Sequence, residues 1–500
     1  MFLALLVLWI KLFFIFGSIF LFYIIITQLI HYKLRFLHNR AYKNRNIKTI
    51  SFVHPFCADC GGGEKVLWRM ITSLISYYQN SSSMDSNELP NLKINIISGR
   101  NDDLEELYKK LKSRFGIDLQ NDYSISRINK KLVLEIEIIT MKSGYMLRPR
   151  NLFTMLLQIL GQIYFAFEII TNVYSNVYCD TTGLPFCYFI LKFFGHAKVT
   201  AYTHYPFISY EMISQVELGE GGVHSRGRLN RYPLIKYMKI FYYKLIMKLY
   251  QFMGNKCLSY AYVNSTWTLN HMKDLWYELY NRKELSILYP PCSTALYREA
   301  SKNHNRKNII VSFAQFRPEK RQDLQIDILN DLKDQLVEFP EFQDLELHII
   351  GGVRNKDDEQ ILENLKMKAS QSKYKDYIKF LPNGSTEQII EEMAQAKIGI
   401  HTMIAEHFGI TLIEMMAAGL ILVTHKSAGA EDDILKNEGG DKPGFLVKTK
   451  ENYVEQLYEI IINYNEISSE ILNSAKRRAE KFSDEAFQVQ FNQKIKEFLL

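Results

Sequence analysis

Cysteine is scarce in this chain. Its six thiols, Cys57, Cys60, Cys179, Cys187, Cys257 and Cys292, are scattered through 500 residues. That spacing excludes a disulfide scaffold and suits a reducing compartment. Cys57 and Cys60 share CxxC spacing, but no second ligand pair accompanies them, so no residue is assigned to a metal. The GxGxxG fingerprint is missing, which removes the oxidoreductases that bind a dinucleotide on it. Zinc-finger, helix-turn-helix and RNP signatures are absent too, and a formal net charge of +7 over 500 residues is too small to mark a nucleic-acid binder. Nor does a DxD-like acidic pair close any strand. Asp102-Asp103 and Asp357-Asp358 stand in polar, helix-forming context and read as solvated charge. The modest basic excess suits phosphate-bearing ligands or an anionic membrane surface instead.

Apolar residues, by contrast, are plentiful. At 47% hydrophobic and 23% charged the composition is globular, and the length calls for more than one domain. The first 30 residues are apolar except for Lys11 and a few neutral polar groups, and residues 12–30 alone could cross ~30 Å of hydrocarbon. Lys33, Arg35, Arg40, Lys43, Arg45 and Lys48 crowd the flank that follows. A membrane anchor over residues 1–31 is expected, with everything after it on the cytosolic side by the positive-inside rule. Segments 152–170, 184–194 and 237–253 are also unusually apolar. The first carries Glu168, which argues against a second span, and the second reads as core. In the third, Tyr, Phe and Lys interleave, which fits a core helix and an interfacial helix equally well.

From residue 48 onward, short β-rich runs alternate with amphipathic stretches, the rhythm of parallel sheets covered by helices. Strands are expected at 50–53, 94–97, 134–139, 199–204 and 259–264, then again at 308–313, 345–350, 378–381, 397–402 and 420–425. Two doubly wound α/β units are implied. The stretch around Pro290-Pro291, rich in Ser, Asn and charge, separates them. The expected divisions are an amino-terminal Rossmann-like domain over 32–290, a linker over 291–307, a second Rossmann-like domain over 308–480, and a helix over 481–500 that packs back on the first domain. Ligands of such sheets bind at the carboxyl ends of strands, so the chemistry is expected in the cleft between the units.

Four short motifs fall at those ends. Gly61-Gly62-Gly63 opens a helix after the first strand, where glycine lets backbone N–H groups approach a phosphate or sugar; a plain turn is the alternative. His204 ends the strand before Tyr205-Pro206. Arg317, Lys320 and Arg321 follow strand 308–313, a place suited to clamping a diphosphate. Finally, EHFGITLIE (406–414) sets Glu406 on a loop and Glu414 within an apolar helix entered through Gly409. Free N–H groups at that helix start suit phosphates, and a carboxylate as deep as Glu414 is costly to bury without a partner.

HPFCADCGGGEKVLW, THYPFIS, FAQFRPEK and HTMIAEHFGITLIEMMAAG together resemble the motifs of the retaining GT-B glycosyltransferases of family 4, which face two Rossmann-like domains across a cleft. More closely they are similar to the GDP-mannose-dependent α-1,2-mannosyltransferases that extend the dolichol-diphosphate-linked oligosaccharide on the cytosolic face of the endoplasmic reticulum. The resemblance implies transfer of the fourth and fifth mannoses in N-glycan precursor assembly, without a metal cofactor. It implies catalytic roles for His204 and Glu406, and donor binding by Gly62, Gly63, Arg317, Lys320, Phe408, Gly409, Ile410 and Glu414. Glu406 is placed by the donor sugar and Glu414 on the nucleotide ribose. Aligned on Pro318-Glu319-Lys320, Gln315 stands where many family members have arginine, which leaves Lys320 as the matched phosphate ligand and Arg317 as a displaced substitute. Partners implied are GDP-mannose, the lipid-linked acceptor, the endoplasmic reticulum membrane and other mannosyltransferases of the pathway, with no nucleic acid. A catalytically silent scaffold would not need Glu406, Glu414, Lys320 and His204 intact, and donor hydrolysis by the purified protein separates the two readings.

Overall fold

Strand β1 (Ile47–Val53) is buried over its last five residues, as a central strand covered on both faces must be. It pairs in parallel with β2 (Asn91–Ser98), which pairs in turn with β3 (Leu134–Thr140). On its other side lie β4 (Val177–Asp180), β5 (Lys198–Thr203), β6 (Tyr260–Val263) and β7 (Leu285–Ile287), giving a parallel sheet in the order β3-β2-β1-β4-β5-β6-β7. The second sheet repeats the plan: β8 (Lys307–Phe313), β9 (Glu346–Gly351), β10 (Ile378–Pro382), β11 (Ala396–His401), β12 (Ile421–His425) and β13 (Gly444–Val447) run in the order β10-β9-β8-β11-β12-β13. This computed structural model describes residues 2–41, 47–59, 61–81, 91–119, 134–148, 154–218, 233–300 and 305–499. Cys60, Lys43 and Arg45 lie outside them.

Each of the ten expected strands is present, and β4, β7 and β13 are additional. All three are only three or four residues long, and β4 is buried throughout, so none shows the period-two alternation by which strands are read. Yet β4 sits at the centre of its sheet. The order reverses between β1 and β4 and between β8 and β11, and the carboxyl ends at these two reversals are where a doubly wound sheet receives its ligand.

The helix Gly62–Ser81 buries Val66, Leu67, Trp68, Met70, Ile71, Leu74, Ile75 and Tyr78, more than one stripe can hold. Its second partner is the helix Asp484–Leu499, whose Phe487, Phe491 and Ile495 join the same cluster. Between the domains the chain crosses twice in neighbouring strands: Cys292 N–H donates to Phe482 O at 3.0 Å, and Asp484 N–H to Cys292 O at 3.0 Å.

The amino-terminal helix Phe2–Ala41 packs on the helix Thr154–Asn172, with Tyr23 edge-on to Phe167 and His31 Nδ1 2.8 Å from Ile170 O. Among the described residues, Thr154–Asn172 is the helix long and apolar enough to cross a membrane, and 44% of its apolar window is buried. Its Glu168 carboxylate is occupied in accepting the N–H groups of Lys142 and Ser143, each at 2.8 Å. Segment 184–194 is mainly core, with Phe193 exposed. The helix Pro233–Phe252 buries Ile246, Met247 and Tyr250 and turns Tyr237, Met238, Phe241 and Leu245 outward. One expected solvated charge is corrected. Asp358 is 5% exposed, in the first turn of the helix Lys356–Ser370, and accepts the N–H of Arg354 at 3.1 Å.

Candidate active site

Strand ends at and beside the reversals contribute the groups of the site. After β1, His54 is buried, with Nδ1 2.8 Å from Thr181 Oγ1 and Nε2 3.1 Å from Glu64 Oε1. Glu64 also accepts the Gly61 N–H at 2.7 Å, which closes the glycine turn. The turn needs small residues for a concrete reason. A Cβ on Gly63 would lie 3.3 Å from His204 Nε2, and one on Gly62 would lie 3.1 Å from Ile410 Cδ1 in the other domain. Gly62, Gly63, His204 and Ile410 therefore converge.

His204 follows β5, and its Nε2 lies 3.2 Å from the Thr181 carbonyl. Burial, reinforced by neighbouring His54, lowers its pKa to about 4, so the ring is neutral at physiological pH. Asn264 anchors its backbone by donating to His204 O at 3.1 Å.

Facing this is the loop after β11. Gly409 takes φ 107° and starts the helix Ile410–Ala417, a backbone conformation that glycine adopts freely. The loop is pinned from below, since Ala405 N–H donates to Ser427 Oγ at 2.9 Å and Gly429 N–H to Glu406 O at 3.0 Å. Lys320 Nζ donates to Glu406 Oε2, and His401 Nε2 lies 3.1 Å from the same oxygen. Burial by itself would raise the Glu406 pKa, but Lys320 and His401 outweigh it and hold the carboxylate well below its ordinary range. Thr402 Oγ1 fixes the cationic loop by donating to Lys320 O at 2.8 Å.

The remaining expected residues separate. Arg317 pairs with Glu319 at 3.5 Å and is partly exposed, so Lys320 and Arg317 do not share a partner. The Phe408 ring is 3% exposed and packs between Tyr289 and Phe482, which leaves its backbone on the loop and its side chain in the hinge core. Glu414 is 9% exposed and faces Lys65 of the first domain at 3.8 Å. Burial pushes its pKa up to about 7, against the opposing pull of Lys65.

Several groups at the junction were given no role by the sequence, some of them inside the motifs themselves. Tyr205, Trp267 and His407 form near-parallel rings across the domain boundary, with His407 4.3 Å from Tyr205 and 4.9 Å from Trp267. Asp433 accepts the Thr266 N–H at 2.9 Å and the Tyr289 hydroxyl at 2.8 Å. A signal for Lys65 existed: Lys65, Arg69 and Thr72 are spaced along one face of a helix that is otherwise apolar.

Two parallel doubly wound sheets in succession, joined by a short connection, define the GT-B fold. The fold is shared with a glycosyltransferase from Rickettsia africae ESF-5 (TM-score 0.56, 17% identity, 91% of this chain and 99% of that one). It is shared likewise with sucrose-phosphate synthase from Thermosynechococcus elongatus (TM-score 0.57, 11% identity, 90% and 98%). Residues 47–276 match the family described as ALG11 mannosyltransferase N-terminus, and residues 293–481 match glycosyl transferases group 1. The chain is 32% identical over 456 residues to a Dictyostelium discoideum protein, covering 90% of this chain and 84% of that one. It is 32% identical over 455 residues to a Homo sapiens protein, covering 89% and 86%. Both relatives are named GDP-Man:Man(3)GlcNAc(2)-PP-Dol alpha-1,2-mannosyltransferase. The chain belongs to this ALG11 α-1,2-mannosyltransferase family.

Proposed function

We propose that this glycosyltransferase transfers mannose from GDP-mannose, with retention of anomeric configuration, to the dolichol-diphosphate-linked oligosaccharide in α-1,2 linkage. The donor and acceptor follow from the relatives' names. The acceptor those names print carries three mannoses and so receives a fourth; transfer of the fifth is what the motif resemblance implies. The transferase reading is supported above all by the Lys320–Glu406 pair, braced by His401, and retention is what the motif resemblance implies.

In this reading Lys320, with Arg317 at most a peripheral contributor, receives the donor diphosphate together with the N–H groups of Gly409 and Ile410. The Gly62-Gly63 turn closes over it from the other domain. As the sugar–phosphate bond lengthens, negative charge grows on the diphosphate and positive charge on the anomeric carbon. Lys320 and the helix-start amides stabilise the first, and the fixed charge of Glu406 stabilises the second. The diphosphate then helps to deprotonate the incoming hydroxyl on the same face. His204, being uncharged, offers the sugar a hydrogen bond without opposing the developing cation. The cations and amides supply the charge stabilisation that a metal supplies elsewhere, so no metal cofactor is assigned.

The helix Phe2–Ala41 serves as the anchor in the endoplasmic reticulum membrane, with both domains cytosolic. The outward Tyr237, Phe241 and Leu245, interleaved with Lys239 and Lys244, suit a second, interfacial contact. The deciding experiment is incubation of purified protein with GDP-mannose and a defined lipid-linked acceptor bearing three mannoses, followed by linkage and anomer analysis. Addition of two α-1,2-mannoses without added divalent metal is expected. A β-linked product, or transfer only from another nucleotide sugar, would sink the reading.

A further inference from the structure

Lys65 is 4% exposed. A buried ammonium is tolerated only when partners replace its water, and the partners here come from three separate pieces of chain. Its Nζ donates to Ser293 Oγ in the interdomain connection at 2.7 Å. It lies 3.8 Å from Glu414 Oε1 in the second domain and 3.7 Å from Asp484 Oδ1 at the start of the last helix. Lys65 also stands two residues after Gly63, so the turn that meets His204 and the carboxylate that meets Lys65 are joined by one turn of helix.

We propose that Lys65 is a positioning residue that favours the charged, ribose-accepting form of Glu414 and so ties the grip on the nucleotide to the juxtaposition of the two domains. The proposal rests on the ribose role given to Glu414 above. At 3.8 Å the contact with Lys65 is longer than a hydrogen bond, so the carboxylate keeps its capacity to accept from ribose hydroxyls. A protonated carboxyl would lose part of that capacity. Among the described residues, four ionisable groups surround Glu414. Burial raises the Cys292 thiol and the Tyr297 hydroxyl well above their ordinary values, so both stay neutral. Asp484 is an anion already paired with Arg69 at 2.6 Å and opposes ionisation of Glu414. Lys65 is thus the cation that favours it.

The test measures the donor KM for GDP-mannose from roughly pH 6 to 9 with full-length Lys65→Met, Lys65→Arg, Glu414→Gln and the Lys65→Met/Glu414→Gln pair, alongside thermal melting. Lys65→Met should raise donor KM about tenfold near pH 7, with kcat changed less than about threefold, and the defect should fade as the pH rises. Lys65→Arg should restore most of the affinity. The paired variant should be no worse than Glu414→Gln, because one residue acts through the other. A KM defect equal at every pH, or multiplicative losses in the pair, would overturn the proposal. A KM defect in Glu414→Gln with none in Lys65→Met would overturn it while sparing the ribose role, whereas an unaffected Glu414→Gln would remove the ribose role itself. Should Lys65→Met fail to fold, Asp484→Asn provides the opposite test. Without that anion the KM profile should move to lower pH, and an unmoved or upward shift counts against Lys65.

Discussion

Glu406 and Glu414 are eight positions apart and sit in opposite electrostatic settings. One carboxylate is held below its ordinary range by Lys320, and the other is lifted to about 7 by burial. They should therefore separate in kinetics. Glu406→Gln removes charge beside the developing cation, so kcat should fall with little change in donor KM. Glu414→Gln should chiefly raise KM, because a ribose contact is much the same before and during transfer. Lys320→Ala removes a half-buried ammonium from beside Glu406 and should cost about 2 to 4 kcal/mol in the barrier. Arg317, partly exposed and paired with Glu319, should matter far less on alanine replacement. Comparable losses in the two variants would move the phosphate clamp. His204 makes a pH prediction of its own. Its folded pKa, near 4, lies below that of a free histidine, so the unfolded chain binds the extra proton in the window between about 6.5 and 4. Stability is complete above that window and is lost as the pH falls through it. Melting temperatures of His204→Gln against the parent should show a shallower acid slope if this is right.

The glycine turn and the helices around it make predictions of packing. Gly62→Ala would place a Cβ 3.1 Å from Ile410 Cδ1 across the domain boundary, and overpacking of that kind costs about 1 to 3 kcal/mol. Because the clash lies between domains, the variant should melt close to the parent yet lose donor affinity. A large fall in melting temperature with unchanged affinity would make the turn merely structural. On the helix Pro233–Phe252, Tyr237 and Phe241 are 72% and 71% exposed. Replacing both by Ser should leave turnover of a water-soluble acceptor unchanged and weaken flotation with vesicles once residues 2–41 are deleted. Undiminished flotation would place the membrane contact elsewhere.

The two domains share more than a cleft. Phe487, Phe491 and Ile495 of the last helix complete the core of the first domain although they follow the second in the chain. Phe491 is fully buried, so Phe491→Ala should cost about 3 to 5 kcal/mol. The loss should appear in both domains at once, as a single lowered transition by calorimetry. Two separated transitions would show that the helix stabilises only the domain it covers. Asp433 holds the same assembly from the other side through Thr266 and Tyr289.

Periodicity and strand-end motifs carried much of this in advance. Ten strands and the placing of Gly63, His204, Lys320 and Glu406 after strand ends were readable, because alternation and glycine turns are local signals. Three strands were not readable, since runs of three or four residues are too short to show a period. Pairing was also beyond reach. That Glu406 takes Lys320 and His401, that the Phe408 ring packs against Phe482 in the hinge, and that Glu414 meets Lys65 depend on contacts between residues 5 to 349 positions apart. The sequence could say that a carboxylate as deep as Glu414 needs a partner. Which partner it finds depends on how two sheets and a returning helix bring distant side chains into one low-dielectric space, where an ammonium and a carboxylate interact far more strongly than in water.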